Sequence, residues 1–367
     1  MSYVTISLEK PVLLVSKRPI LSKSRTIATE HQLVTAARDF LLQDHELEWR
    51  FLSESKASFD RGYDALLRLR LDGRSLTFAV EYKVALSART VQALAGRKLS
   101  HPPLLITAKL TENILRLCRE HRINCLDLNG RVWIRQDGVL IDRAARPQAD
   151  FKPAQRPPDV FSSKSSRLVR TLLAHKDRPW SQAELVTATQ LSLGLVSRLT
   201  RHLQNEGYLQ REGRTFRVVR HGDLLDAWAA QDRWAKRVTL RQYAVLAPDL
   251  ESLAQNLLRS RPAERIAFTQ WFAANLRFPY TPAPLVSAYV STFPDESLLS
   301  DLKARPVNEG GRLWLIVPND PGVFHHPRVV RDFPLVCDPQ IYLDLLPVGL
   351  RGPDQAQALR QWEDFCR

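Results

Sequence analysis

Cysteine is scarce in this chain. Cys118, Cys125, Cys337 and Cys366 are the only four among 367 residues, with no Cys-x-x-Cys pair and no histidine at metal-ligand spacing. A disulfide framework and a zinc ribbon are therefore not expected, and reduced structural thiols are. His325 and His326 adjoin, but neighbours in an extended segment point apart and no third ligand accompanies them. Long apolar runs are also lacking, and none approaches the ~20 residues needed to cross a bilayer. Pro11-Val-Leu-Leu-Val15 is too short for a signal core. A cytoplasmic location with no membrane partner is the expectation. There is no internal repeat and no low-complexity tract. Acidic residues are the remaining shortage, with 39 Asp+Glu against 53 Lys+Arg and a net charge of +14.

That excess is unevenly placed. Residues 1–150 hold 24 basic against 17 acidic side chains, residues 151–220 hold 13 against 5, and residues 221–367 hold 16 against 17. A polyanion partner is expected for the first two thirds and not for the last. The length exceeds what one core usually supports, and 44% apolar with 25% charged residues is ordinary globular composition. Two or three domains follow.

Residues 167–219 carry the densest pattern. Arg167–Ala174 reads as a short amphipathic helix, with Leu168, Leu172 and Leu173 on one side. A second helix runs from Ser181 through Thr187, with Ser181 and Glu184 in capping-box spacing. The turn Leu191-Ser-Leu-Gly194 leads to a third helix, Leu195–Asn205, ended by Gly207. Leu195, Leu199 and Leu203 at i, i+4, i+8 predict its buried stripe, which leaves Ser197, Arg198, Arg201 and His202 outward. Tyr208–Val219 then reads as a hairpin about Glu212-Gly213, carrying Arg211, Arg214, Arg217 and Arg220. This order is that of a winged helix-turn-helix over residues 161–220, with double-stranded DNA as partner. Ser192, Ser197, Arg198, Arg201 and His202 are the candidate reading residues, and Arg211, Arg214 and Arg217 the candidate backbone clamp.

A second constellation lies in residues 64–83. With Asp72-Gly73 as a two-residue hairpin turn, Leu71 faces Arg74 and Asp64 faces Glu81. Ala65, Leu67, Leu69, Leu76, Phe78 and Val80 then share one face, and Asp64, Arg68, Arg70, Glu81 and Lys83 the other. Opposed carboxylates suit a bridging Mg²⁺, which would make Asp64 and Glu81 metal ligands. Lys83 would position water or offset charge. Asp64 with Glu81-Tyr-Lys83 resembles the PD-(D/E)xK signature of the restriction-endonuclease-like superfamily, including its Mrr-type members, although Tyr63 replaces the usual proline. The resemblance implies an α/β domain over residues 1–146 and gives Glu30, in the helix Ile27–Leu42, the place of an accessory catalytic acid. Downstream, Ser87–Lys98 and Thr111–His121 read as helices, and Pro103–Thr107 and Ile123–Leu128 as strands. Against a Mg²⁺-dependent nuclease stand a plain salt-bridge cluster and a non-catalytic DNA clamp using Arg68 and Arg70.

Pro147, Pro153, Pro157 and Pro158 mark residues 147–160 as a linker. Residues 221–367 predict a mixed α/β domain, with helices at Asp223–Trp234, Ile266–Ala274, Gln340–Leu346 and Asp354–Cys366 and strands at Leu285–Val290 and Leu313–Val317. Leu224, Trp228 and Ala235 are expected core anchors, and Asp320 and Asp344 caps or surface acids. Asn124-Cys-Leu-Asp-Leu-Asn-Gly130, Asp223-Leu-Leu-Asp-Ala-Trp228, Leu313-Trp-Leu-Ile-Val-Pro-Asn-Asp320 and Gln340-Ile-Tyr-Leu-Asp-Leu345 together resemble AbiEi-type antitoxins of type IV toxin–antitoxin systems. The resemblance implies a regulator that binds operator DNA and counteracts a nucleotidyltransferase-type toxin. It also departs from that compact pattern, because a further domain precedes the winged helix. A regulator is the expected function, and a DNA nuclease targeted by the winged helix the alternative.

Overall fold

The computed structural model describes residues 4–6, 25–54, 63–146, 150–153, 158–261, 264–349 and 351–367. The expected readings at Pro11–Val15 lie outside these residues. The chain divides into two compact units, residues 1–157 with 205–207, and residues 158–204 with 208–367. No described helix is long and apolar enough to cross a membrane.

The first unit is built on an eight-stranded mixed sheet. In chain order its elements are β1 (Val4–Ile6), β2 (Arg25–Ile27), α1 (Glu30–Leu42), β3 (Glu48–Glu54), β4 (Ala65–Leu71) and β5 (Arg74–Lys83). There follow α2 (Ala88–Ala95), β6 (Pro103–Thr107), α3 (Glu112–Glu120), β7 (Asn124–Asp127), β8 (Val132–Gln136), β9 (Val139–Arg143) and β10 (Phe151–Pro153). The strand order is β1-β9-β8-β7-β6-β5-β4-β3, parallel through β5-β6-β7. The connections there need crossovers, and α2 and α3 supply them. Leu33, Ala37 and Leu41 of α1 bury one sheet face with Leu67, Leu69, Phe78 and Val80. Val91, Leu94 and Leu115 cover the other with Leu105, Cys125 and Trp133.

The hairpin register is as expected, with Leu71 paired to Arg74 and Ala65 to Val80. Asp72 and Gly73 both have positive φ, 48° and 76°, which a two-residue turn of this hand requires. Helix α1 starts three residues later than expected because Thr29 caps it. The Thr29 hydroxyl accepts from Gln32, whose side chain returns to the cap, and Arg25–Ile27 is left as a strand. The linker expectation fails at Phe151–Pro153, which pairs in parallel with β2. The Asn129 amide fixes that strand, accepting from the Phe151 N–H at 2.8 Å and donating to its carbonyl at 3.1 Å. Residues 147–149 and 154–157 of the linker lie outside the described residues.

In the second unit come α4 (Ser166–Ala174), β11 (Trp180–Ser181), α5 (Gln182–Thr189), α6 (Leu193–Asn205), β12 (Leu209–Glu212) and β13 (Thr215–Val218). Next are α7 (His221–Gln231), α8 (Trp234–Arg237), β14 (Val238–Val245), α9 (Leu250–Ser260), β15 (Ile266–Thr269) and α10 (Gln270–Arg277). The chain closes with β16 (Val286–Val290), α11 (Glu296–Asp301), β17 (Ala304–Val307), β18 (Leu313–Pro318), β19 (Arg328–Val330), β20 (Phe333–Leu335), α12 (Asp338–Leu345) and α13 (Gly352–Gln361). A seven-stranded mixed sheet runs β17-β14-β18-β16-β15-β20-β19. Three helix expectations fail here, one of them because the closing helix ends at Gln361 and not at Cys366. Ile266–Thr269 is a strand, completely buried between β16 and β20, and only Gln270 onward is helical. Short apolar runs buried on both faces do not distinguish helix from strand by period. The helix expected over Asp223–Trp234 stops at Gln231, and Ala235 is exposed while Leu224 and Trp228 are buried.

One continuous apolar cluster joins Leu168 and Leu172 of α4 to Ile341 and Leu345 of α12, so the helix-turn-helix segment shares its core with the C-terminal part. Polar contacts reinforce the seam. Arg167 forks onto Asp320 at 2.7 and 2.8 Å, and Thr171 meets His326 Nε2 at 2.9 Å. His326 Nδ1 lies 3.1 Å from His175 Nε2. Burial, followed by the His175 and His325 charges, pushes the His326 imidazole down to about 4. Its protonation is therefore disfavoured in the folded state relative to an unfolded value near 6.5. The resulting stability is present above about pH 6.5 and is lost as pH falls toward 4. We expect a loss on the order of 1–2 kcal/mol after allowance for solvent screening. Thermal melting from pH 7 to pH 4.5 checks this, and His326→Gln should flatten the slope.

Candidate nucleic-acid interface

Helices α5 and α6 meet at a tight turn. Ser181 caps α5 in a reciprocal capping box with Glu184. That arrangement holds the Glu184 carboxyl down to about 2, through hydrogen bonds from Ser181 and then Arg178. Gln190 takes the left-handed conformation that ends α5, at φ 57°. Helix α6 then begins at Leu193, with the Leu195 and Val196 N–H groups donating to the Ser192 carbonyl. Gly194 is thus inside the helix and not in the turn. The earlier start also shifts the packed stripe. It consists of Val196, Leu199, Thr200 and Leu203, and Leu195 is only partly buried. Thr200 belongs to it because its hydroxyl donates to the Val196 carbonyl at 2.9 Å, which satisfies the only polar atom of the side chain.

The opposite side of α6 faces solvent. Arg198 and Arg201 are exposed, and among the described residues neither has an ion-pair partner. Ser197 is half-buried beside them. His202 is half-buried and burial lowers its imidazole, so it is neutral at pH 7 and adds no charge. Ser192 is exposed, and its hydroxyl accepts weakly from Leu195 N–H at 3.4 Å. Two residues not singled out from sequence complete this side. Leu193 is 60% exposed, and a Cβ on Gly194 would meet nothing within 4 Å. They escaped notice because both were placed in the turn.

The hairpin β12–β13 pairs Glu212 with Thr215, so its two-residue turn is Gly213-Arg214. Strand β11 adds Trp180 and Ser181 beside β13 and makes a three-stranded sheet. The arginines here divide by role. Arg214 is exposed at the tip, and among the described residues it has no ion-pair partner. Arg211 bends back to the Gly213 carbonyl at 3.0 Å, and Arg217 lies 3.4 Å from Glu212. Arg220 is held at 2.7 Å by Asp223, inside the unit and away from service as a clamp.

In the first unit, Asp64, Glu81, Lys83 and Glu30 do come together. The regular pairing ends at Ala65 and Val80, because the Asp64 N–H donates to the Val80 carbonyl and not to Glu81, and Asp64 Oδ2 accepts from the Tyr82 N–H at 2.8 Å. Glu81 is buried and engaged by Arg97 at 2.8 Å and Lys83 at 3.6 Å, and Lys83 reaches Glu30 at 3.3 Å. The oxygen donors are of the kind Mg²⁺ takes. Glu81 and Glu30, however, are already paired with Arg97 and Lys83, and of these two cations the sequence reading left out Arg97. As arranged, the residues do not fit a bridging cation. Among the described residues, no group of three or more His, Cys, Asp or Glu side chains is placed to hold a metal ion. We expect Glu81→Ala to release Arg97 and Lys83 and to destabilise this unit by about 1–3 kcal/mol. Urea unfolding of that variant checks this.

Neither curated proteins nor solved structures give a match to the chain. Residues 169–213, from α4 to the hairpin turn, match the family model of the IclR helix-turn-helix domain. The outward arginines of α6 therefore belong to an IclR-type helix-turn-helix DNA-binding domain.

Proposed function

We propose that this protein is a DNA-binding transcriptional regulator that seats α6 in the major groove and uses the β12–β13 hairpin as a wing on the flanking backbone. The observation that carries this is the exposed Arg198–Arg201 edge, without an ion-pair partner among the described residues, on a helix whose other edge is locked into the core. An ion-paired arginine would have to give up its partner to bind phosphate or guanine, and these two would not. Gly194 and Leu193 suit the close approach at the helix start, where recognition helices meet base edges, and an aliphatic side chain there matches a thymine methyl.

The antitoxin role is a finer part of the same proposal and rests on the resemblance of the C-terminal phrases. On this reading the protein represses its own operon and counteracts a nucleotidyltransferase-type toxin encoded alongside. Co-expression with the adjacent gene product tests it, since growth rescue by the full chain supports the role and continued toxicity removes it. The nuclease reading keeps only the convergence of Asp64, Glu81 and Lys83 in its favour.

One gel experiment addresses both functions. Wild-type protein and Glu81→Ala are titrated against DNA from upstream of the gene and against a scrambled duplex, with Mg²⁺ and with EDTA. A shift that prefers the upstream DNA and leaves it intact is the expected result. Breaks that require Mg²⁺ and vanish in Glu81→Ala would replace the regulator by an enzyme.

A further inference from the structure

In the first unit, the solvent side of β3, β4 and the start of β5 is laid out in cross-strand rows. One row is Glu48–Arg70–Ser75 and the next is Arg50–Arg68–Thr77. Arg50 and Arg68 are direct partners across the antiparallel pair, so their Cβ atoms sit about 5 Å apart. Like charges directly opposite destabilise a sheet. Nothing among the described residues relieves this pair. Neither arginine has a hydrogen-bond or ion-pair partner there, and Arg68 Nε is buried with no acceptor. Arg70 is only loosely held, 3.6 Å from a Glu48 that is itself mostly exposed. A cavity of about 560 Å³ opens beside these rows, lined by Arg68, Arg70, Arg74 and Ser75 together with Glu48 and Asp72.

We infer that this arginine face is a second DNA-binding site, which takes the phosphodiester backbone without reading sequence. A phosphate oxygen between Arg50 and Arg68 would accept from their guanidinium groups and remove the repulsion. Ser75 and Thr77 offer hydroxyl donors at the same level. Two rows separated by two residues lie about 7 Å apart along the strand, comparable to the spacing of successive phosphates. The guanidinium fork donates two parallel hydrogen bonds to such a group. Duplex DNA is the favoured polyanion because the chain already carries a DNA-binding domain, and to that extent the inference rests on the proposed function.

The test uses the full chain and fluorescence anisotropy with a scrambled duplex and an upstream duplex, between about 50 and 200 mM salt. Arg50→Gln with Arg68→Gln should lower the slope of log affinity against log salt by about 0.9, the contribution of the one phosphate held between them. Affinity should fall about tenfold for both duplexes alike, with sequence preference unchanged. Arg50→Lys with Arg68→Lys should keep most of the slope, and thermal melting verifies that the Gln variant folds. An unchanged slope in a folded Gln variant overturns the inference, as does a loss confined to single-stranded RNA of the same length. A wild-type protein with no sequence preference would remove the regulator proposal, while the slope on scrambled DNA would still report on this face.

Discussion

Replacing Asp344 by alanine is expected to lower the unfolding free energy of the second unit by about 3–5 kcal/mol, the range for breaking one side of a buried ion pair. Asp344 is completely buried. Its Oδ1 accepts from Arg237 at 2.6 Å and from Gln340 Nε2 at 2.7 Å, and its Oδ2 from Thr269 at 2.6 Å. Gln340 in turn accepts two N–H groups of Arg170, at 2.9 and 3.0 Å, from inside helix α4. Burial pushes the Arg170 guanidinium below its usual range. Without Asp344, Arg237 keeps Asp232, but Thr269 and Gln340 lose their acceptor and Arg170 loses the charge behind Gln340. Urea unfolding followed by tryptophan emission measures the effect, with Trp228 and Trp271 in the core of this unit as reporters. A change under about 1 kcal/mol would show that the network is bystander chemistry. Asp344→Asn, which keeps an acceptor and loses the charge, should fall between.

The second large effect is on DNA. Arg198→Ala combined with Arg201→Ala should weaken binding to the preferred duplex by about 2–6 kcal/mol, or roughly 30-fold to 10⁴-fold, at about 1–3 kcal/mol for each base contact. Both side chains are exposed and neither supports the core, so the variant should melt with the wild type. Arg214→Ala is the contrasting case. A phosphate contact at the hairpin tip weakens all sequences alike and lowers the salt slope by about 1. Anisotropy titrations on preferred and scrambled duplexes separate the two patterns. Equal losses on both duplexes in the α6 variant would assign Arg198 and Arg201 to the backbone and leave base reading to Ser192, Leu193 and Ser197.

Much of the helix-turn-helix was legible because its signals are local. Ser181 with Glu184, the 3.6-residue stripe of α6 and Gly213 at a turn act within a few residues, so sequence distance equals spatial distance. The hairpin register was legible for the same reason, since Asp72-Gly73 fixes every pair up to Ala65 and Val80. The two-residue error at the start of α6 arose because Gly194 reads as a breaker. Gln190 takes the left-handed position instead.

By itself the sequence determined which segments fold locally, where the positive charge lies, and the hairpin whose second strand carries Glu81 and Lys83. Only the tertiary structure decided what meets those residues. Arg97 reaches Glu81 from beyond the end of α2, Arg50 comes opposite Arg68 through β3, and Asp344, which reads as a cap or surface acid, closes a buried relay to α4. The physical reason is that a side chain's charge is written in the chain, whereas its electrostatic environment is set by groups far away in sequence. The i, i+4 rules do not reach those groups, and only packing brings them within hydrogen-bond distance.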